Sequence, residues 1–283
     1  MGSQVPESQE IAVEGGRSAP LSLVDTEPEG RSRTRRRPAG TPVADQSEVD
    51  RDRTHVKQPA RPGDGALGAL RAVVFDAGEV LVDEARQWGE WADWLGVSRH
   101  TFSAIFGAVI AGGEDHYRTF EYFRPGIDIE LERRRREEAG QPDVFGSDDL
   151  YPDARTCLGT LRARGYTVGV AANQPARADA VLRGLELPAD WVGTSSGWGV
   201  AKPARGFFER VVARCRCRPE QVAYVGDRVD HDVLPALGAG LVAVFLRRGP
   251  WGYLGAADPR LEKAHLRLDD LGQLIDRLSR PAS

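Results

Sequence analysis

The sequence predicts an α/β fold: a doubly wound parallel sheet interrupted by an inserted all-helical module. Three observations predict it. Short, uninterrupted apolar runs recur along the chain and stop abruptly at polar residues, as in Ala72-Val73-Val74-Phe75 before Asp76; strands buried on both faces read this way. Amphipathic helical patterns separate these runs, and strands alternating with helices imply βαβ units. One long stretch, 84–149, breaks that rhythm with rings at helical spacing and no strand-like run.

Taken in order, residues 1–66 are rich in Gly, Pro, Ser, Glu, Asp and Arg and carry no aromatic side chain. A segment of this kind buries too little apolar surface to offset its ordering entropy, so a disordered tail is expected. Within it, Arg31-Ser32-Arg33-Thr34-Arg35-Arg36-Arg37 is a basic run. It suits either an arm for an acidic protein partner or nucleic acid, or a solvated tail, the reading that the flanking acidic residues favour. A domain over 67–283 follows, with a core of 67–83 and 150–283. Its first strand is Ala72–Phe75, and the helical module spans 84–149. In that module Trp91/Trp94/Leu95 and Phe102/Ile105/Phe106 share helical faces, which assigns most of its rings to packing. The highly charged stretch 131–139 reads as an exposed helix. A helix is then expected over 154–164, a strand over 168–171, a helix over 176–185 and a short, weak strand at Trp191-Val192-Gly193. After these come a helix over 207–215, a strand over 222–225, a helix over 233–237, a strand over 241–246 and a closing helix over 268–278.

Composition narrows the partners. A formal net charge of −4 excludes bulk attraction to nucleic acid or anionic lipid. No apolar run approaches the roughly 18 residues of a membrane-spanning helix, and a cytoplasmic location is expected. The 3 cysteines, Cys157, Cys215 and Cys217, are too sparse for a disulfide framework. Cys215 and Cys217 form a CxC pair within the helix-like stretch 207–218. With no second Cys/His cluster, they read as ordinary helix residues rather than zinc ligands.

The polar residues that carry chemistry follow the strand ends, where an open parallel sheet binds ligands. Asp76-Ala77-Gly78-Glu79 follows the first strand and Asn173-Gln174 the second. Thr194 to Pro203, containing Lys202, follows the third. Gly226-Asp227-Arg228-Val229-Asp230-His231-Asp232 follows the fourth. Converging carboxylates repel unless positive charge sits among them; Mg²⁺, a hard cation with oxygen ligands, answers that need, and Lys202 supplies a second charge. An Asp beside both can attack phosphorus.

The order hhhFDxGxVL, hhxxN, GxxKP and VGDxxxxDxxxAxxAG, where h is apolar, resembles the haloacid dehalogenase superfamily. The resemblance covers about 71–246, with 84–149 matching that family's helical C1-type cap on a Rossmann-like core. It implies that Asp76 is a nucleophile, with Mg²⁺ held by Asp76, Asp227, Asp232 and the backbone carbonyl of Gly78. Asp232 is alternatively a support for Lys202. Lys202 would hold the nucleophile and the phosphoryl group, and Asn173 would contact phosphate.

Two positions depart from the pattern. Gly78 stands where most family phosphatases carry a second, acid/base Asp, and Ala172 stands in place of a phosphate-binding Ser or Thr. Glu79, one residue late, reads either as acid/base or as a solvated loop residue. Asp230 reads as support for the site or as a helix cap, and His231 as exposed. Arg247-Arg248-Gly249-Pro250-Trp251-Gly252 reads either as a charged and aromatic wall of the site or as a turn with Trp251 against the core. The expected function is Mg²⁺-dependent hydrolysis of a small phosphorylated metabolite through an aspartyl-phosphate. The alternatives are a weak or inactive domain serving as a binding module, and C–halogen hydrolysis by the same Asp.

Overall fold

The structure is a computed structural model that describes residues 67–278. The expected tail and its basic run lie outside the described residues. Strand β1, Ala72–Phe75, is fully buried because helices cover both faces of the sheet. Successive side chains point to opposite faces. Val73 and Phe75 therefore join one apolar layer with Leu158, Leu161, Leu271 and Leu274. Val74 joins the other with Phe207, Phe208, Tyr224 and Phe245. Full burial of each such large apolar side chain stabilises the fold by roughly 1.5–3 kcal/mol.

The remaining strands are β2, Thr167–Ala172; β3, Trp191–Thr194; β4, Val222–Gly226; β5, Val242–Leu246; and β6, Leu266–Leu268. All pair in parallel, in the order β3-β2-β1-β4-β5-β6. From β1 the chain winds outward through β2 and β3, crosses back to β4, and winds the other way. The crevice left by that reversal opens at the carboxyl end of β1, where Asp76 lies.

Strand β6 corrects the expected closing helix. Leu268, Leu271, Leu274 and Leu278 share helical spacing, but Leu266–Leu268 pairs with β5. The helix is Leu271–Arg277, and its start is fixed by Asp270, whose side chain accepts a hydrogen bond from the Gln273 amide at 2.9 Å. A three-residue edge strand is too short to outweigh that periodicity in the sequence.

The inserted module is helical as expected, with Ala85–Leu95, Arg99–Ala111, Arg118–Phe123 and Ile129–Glu138. Ser98 and Asp128 cap the second and fourth by accepting from the amides of Thr101 and Leu131. Trp91, Phe102, Phe106 and Phe120 form the buried centre of the module. Tyr122, by contrast, is 62% exposed and packs little. The charged helix is not fully exposed: it buries Glu132 and Arg136, with the Arg136 guanidinium 4.4 Å from the Trp91 ring centre. Cation–π contact and a bond to the Gln141 carbonyl make that burial possible.

Two segments join cap to core, and they run side by side. Val82 and Leu150 form an antiparallel bridge, the Asp83 amide donates to the Asp149 carbonyl at 2.7 Å, and the Tyr151 amide donates to the Leu81 carbonyl at 2.9 Å.

Candidate active site

Asp76 ends β1 with one carboxylate oxygen accepting from the Ala77 amide at 2.8 Å. Its other oxygen lies 2.6 Å from the Lys202 ammonium. Lys202 also donates to Asp232 Oδ1 at 2.7 Å, so one buried ammonium bridges the ends of β1 and β4. Burial weighs most on Lys202 and works against its charge, yet Asp232 and Asp76 together hold its ammonium well above the usual lysine range.

Asn173, at the end of β2, sets the position of Lys202. Its side-chain amide donates to the Lys202 carbonyl at 2.9 Å and accepts from the Lys202 amide at 2.8 Å. Both ends of the Asn173 amide are engaged with the Lys202 backbone, and the second Nδ2 hydrogen is left for another acceptor. Ala172 is fully buried, and among the described residues that line the cavity there is no Ser or Thr.

Asp227 and Asp232 come from the loop after β4, which opens into a wide π-type turn at Val229–Val233. The turn folds back so tightly that a Cβ at Gly226 would lie 2.3 Å from the Asp232 Cβ, so only glycine fits. Asp232 Oδ2 accepts from the Arg228 amide at 3.0 Å. Both Asp232 oxygens are thus bonded, and its closest charged partner is Lys202.

Carboxylate oxygens of Asp76, Asp227 and Asp232 all lie within 4.8 Å of one another. Burial raises the Asp76 carboxyl above the usual range, with Lys202 opposing it. Burial, then repulsion from Asp232 and Asp76, pushes Asp227 well up. Asp227 Oδ2 is buried with no hydrogen-bond partner among the described residues. Three carboxylates around one ammonium, with one oxygen orphaned, are a donor set short of positive charge. It fits a hard divalent cation.

Beside this charged group lies a second set of carboxyls. Glu79 is 5% exposed, which rules out the solvated-loop alternative. Its Oε2 accepts from the Tyr151 hydroxyl at 2.7 Å. Burial lifts its carboxyl to about 7 despite that bond. Glu84 Oε2 accepts from the Trp88 indole at 3.1 Å. Its carboxyl is enclosed although the residue keeps some exposed surface, and burial followed by repulsion from Glu79 lifts it to about 8.

These groups floor a cavity of about 490 Å³ that cap residues roof, among them Trp88, His116, Tyr117 and Arg133. Trp251 is a wall of this cavity and sits on a helix, Gly249–Gly255, rather than in a turn. Its ring meets Phe106 at 5.3 Å and His116 at 5.6 Å, with the Arg228 guanidinium 5.1 Å away on its own face. Arg247 and Arg248 turn elsewhere, to Asp269 and Asp153. Asp230 and His231 both line the cavity: Asp230 pairs with Arg228 at 3.2 Å, and His231 is half-buried. Burial pushes the His116 imidazole down to about 4, since Asp115, 3.5 Å away and largely exposed, does not compensate for lost water. Cys215 ends the helix Arg205–Cys215 and Cys217 lies beyond it, both as free thiols away from the cavity.

Sequence reasoning found the strand-end residues and missed Glu84, Trp88, His116 and Tyr151. None of these follows an apolar run, so no local signal marks them.

Among curated proteins, the chain is 35% identical over 145 residues to a glyceraldehyde 3-phosphate phosphatase of Methanopyrus kandleri, covering 49% of this chain and 62% of that protein. It is 32% identical over 129 residues to a phosphoserine phosphatase of Thermus thermophilus, covering 44% and 50%. In both cases it spans less than two thirds of the relative's length. Among solved structures, a HAD-superfamily hydrolase, subfamily IA, variant 1, from Geobacter sulfurreducens superimposes with a TM-score of 0.55 at 21% identity, over 75% of this chain and 98% of that one. Residues 70–240 match the haloacid dehalogenase-like hydrolase family, with Asp76, Lys202 and Asp227 all inside the match, and the chain belongs to that family.

Proposed function

We propose that this protein is a Mg²⁺-dependent phosphatase of a small phosphorylated metabolite, acting through an aspartyl-phosphate on Asp76. The observation that carries the reading is the Lys202 ammonium, buried between Asp76 at 2.6 Å and Asp232 at 2.7 Å on the cavity floor. A buried, paired ammonium costs much to desolvate and gives a folding domain little in return. It does suit an anionic nucleophile facing an anionic substrate.

Asp76, Asp227 and the Gly78 carbonyl would hold the metal, with Asp232 contributing to the same carboxylate group while it fixes Lys202. Bound Mg²⁺ supplies positive charge opposite the phosphoryl oxygens. The chain's own residues do the rest. The Ala77 amide and Lys202 hold the Asp76 carboxylate in one orientation. Asn173 holds Lys202. Asp76 attacks phosphorus, the ester oxygen leaves with its electron pair, and water then cleaves the acyl phosphate, returning Asp76 and releasing phosphate. The phosphatase relatives and the roofed cavity of about 490 Å³ support a small substrate. Among the described residues no helix is long and apolar enough to cross a membrane.

Phosphate release from a panel of phosphomonoesters, with and without Mg²⁺ and with Asp76→Asn as control, tests this reading. Metal-dependent turnover lost in the variant is expected. No turnover above the variant on any ester would overturn it and leave the buried Ala172, with its missing hydroxyl, as the mark of a binding module.

A further inference from the structure

We propose that Glu84, the first residue of the cap, replaces the side chain that Gly78 lacks and serves as the acid/base group of the reaction. The proposal rests on the phosphatase reading above and adds to it a residue from outside the strand-end motifs.

The geometry is one of shared space. A Cβ built on Gly78 would lie 2.4 Å from Glu84 Oε1 and 3.2 Å from its carboxyl carbon. Any side chain at 78 would need the volume that the Glu84 carboxyl already fills. The glycine and the glutamate are therefore one arrangement: a carboxyl beside the nucleophile loop, delivered from the cap instead of from two residues past Asp76. Glu84 lines the same cavity as Asp76 and Lys202. Its Oε2 is fixed by the Trp88 indole at 3.1 Å, while Oε1 is the atom turned to Gly78.

Glu79, the other carboxyl nearby, also lines the cavity but is held by partners of its own. Its Oε2 takes the Tyr151 hydroxyl at 2.7 Å and lies 2.5 Å from where a Cβ on Gly249 would stand. That places it against the β5 loop. In the first step the Glu84 carboxyl gives its proton to the ester oxygen as the P–O bond breaks and that oxygen takes the electron pair. In the second, the resulting carboxylate takes a proton from the water that attacks phosphorus, and is restored.

The test is a transplant. Glu84→Ala, Glu84→Gln and the double variant Gly78→Asp/Glu84→Ala are assayed on an alkyl phosphate, whose leaving group needs a proton, and on p-nitrophenyl phosphate, whose leaving group does not. Melting curves verify folding. Loss of a general acid reduces kcat by about 10²–10⁴-fold. That loss is expected on the alkyl phosphate in both single variants, with a much smaller loss on the aryl ester. The double variant should recover at least about tenfold over Glu84→Ala. Equal losses on both esters with no recovery, or activity within about threefold of wild type in a folded Glu84→Gln, would overturn the role while leaving the Asp76 hydrolase intact. Absence of Asp76-dependent turnover in the wild type would overturn both.

Discussion

The cavity floor has two halves made of the same residue type. On one side the Asp76 carboxyl shares a buried ammonium with Asp232 behind it, with Asp227 beside them. On the other, Glu79 and Glu84 have only neutral donors, a phenol and an indole, and burial lifts them to about 7 and about 8. The difference lies in what opposes burial: an ammonium counters the rise at Asp76, whereas Glu79 and Glu84 meet it with a phenol and an indole. A neutral partner lets the group keep a proton near neutral pH, as acid/base chemistry requires.

The largest effect should come from breaking the charged half at its centre. Asp76→Asn is expected to reduce phosphate release at least about a thousandfold, with melting temperature unchanged or raised because one buried negative charge is gone. A folded variant with more than a tenth of wild-type turnover would remove Asp76 from the reaction. Next, Lys202→Met should cost about 10²–10³ in kcat and about 3–5 kcal/mol in stability, since it strips the ammonium from buried carboxylates. Denaturant unfolding at pH 8 measures it, and an unchanged midpoint would mean that the carboxylates are already neutral.

The neutral half should respond less. Tyr151→Phe removes the donor at 2.7 Å from Glu79, at a cost of about 1–3 kcal/mol, read as a lower melting temperature. No shift would show Glu79 to be hydrated after all. The smallest effect concerns the roof. His116, facing Asp115, Arg133, Arg228 and His231, is lowered by burial to about 4. Because its folded value lies below its unfolded one, the unfolded chain binds the extra proton between about pH 6.5 and 4, and stability falls as pH falls through that window. The stability advantage of wild type over His116→Gln should shrink by roughly 1–2 kcal/mol from pH 7 to pH 5. A constant difference would place His116 in water.

The same contrast explains what could be read from the chain. Asp76, Asn173 and Asp227 follow apolar runs, so the strands themselves deliver them to one edge, the longer loop after β3 delivers Lys202, and the parallel sheet needed only the alternation of strand and helix. Glu84, Trp88 and Tyr151 reach the cavity by tertiary routes: the Tyr151–Glu79 bond spans 72 positions. Strand β6 was hidden for a different reason, its leucines continuing the spacing of the helix that follows. Asn173 was singled out without its hold on the Lys202 backbone being foreseen, because one residue's hold on another's backbone leaves no mark in spacing.

The paired linkers at Val82 and Leu150 have a mechanical consequence. A body tied by two adjoining straps can swing about the line between them, but it cannot slide or spin freely without tearing the bonds that join the straps. Glu84 sits one position beyond the Asp83–Asp149 bond, at the pivot rather than at the swinging edge. Any swing of the roof about that line would therefore displace this carboxyl far less than the outer edge, keeping the innermost fitting close to the frame.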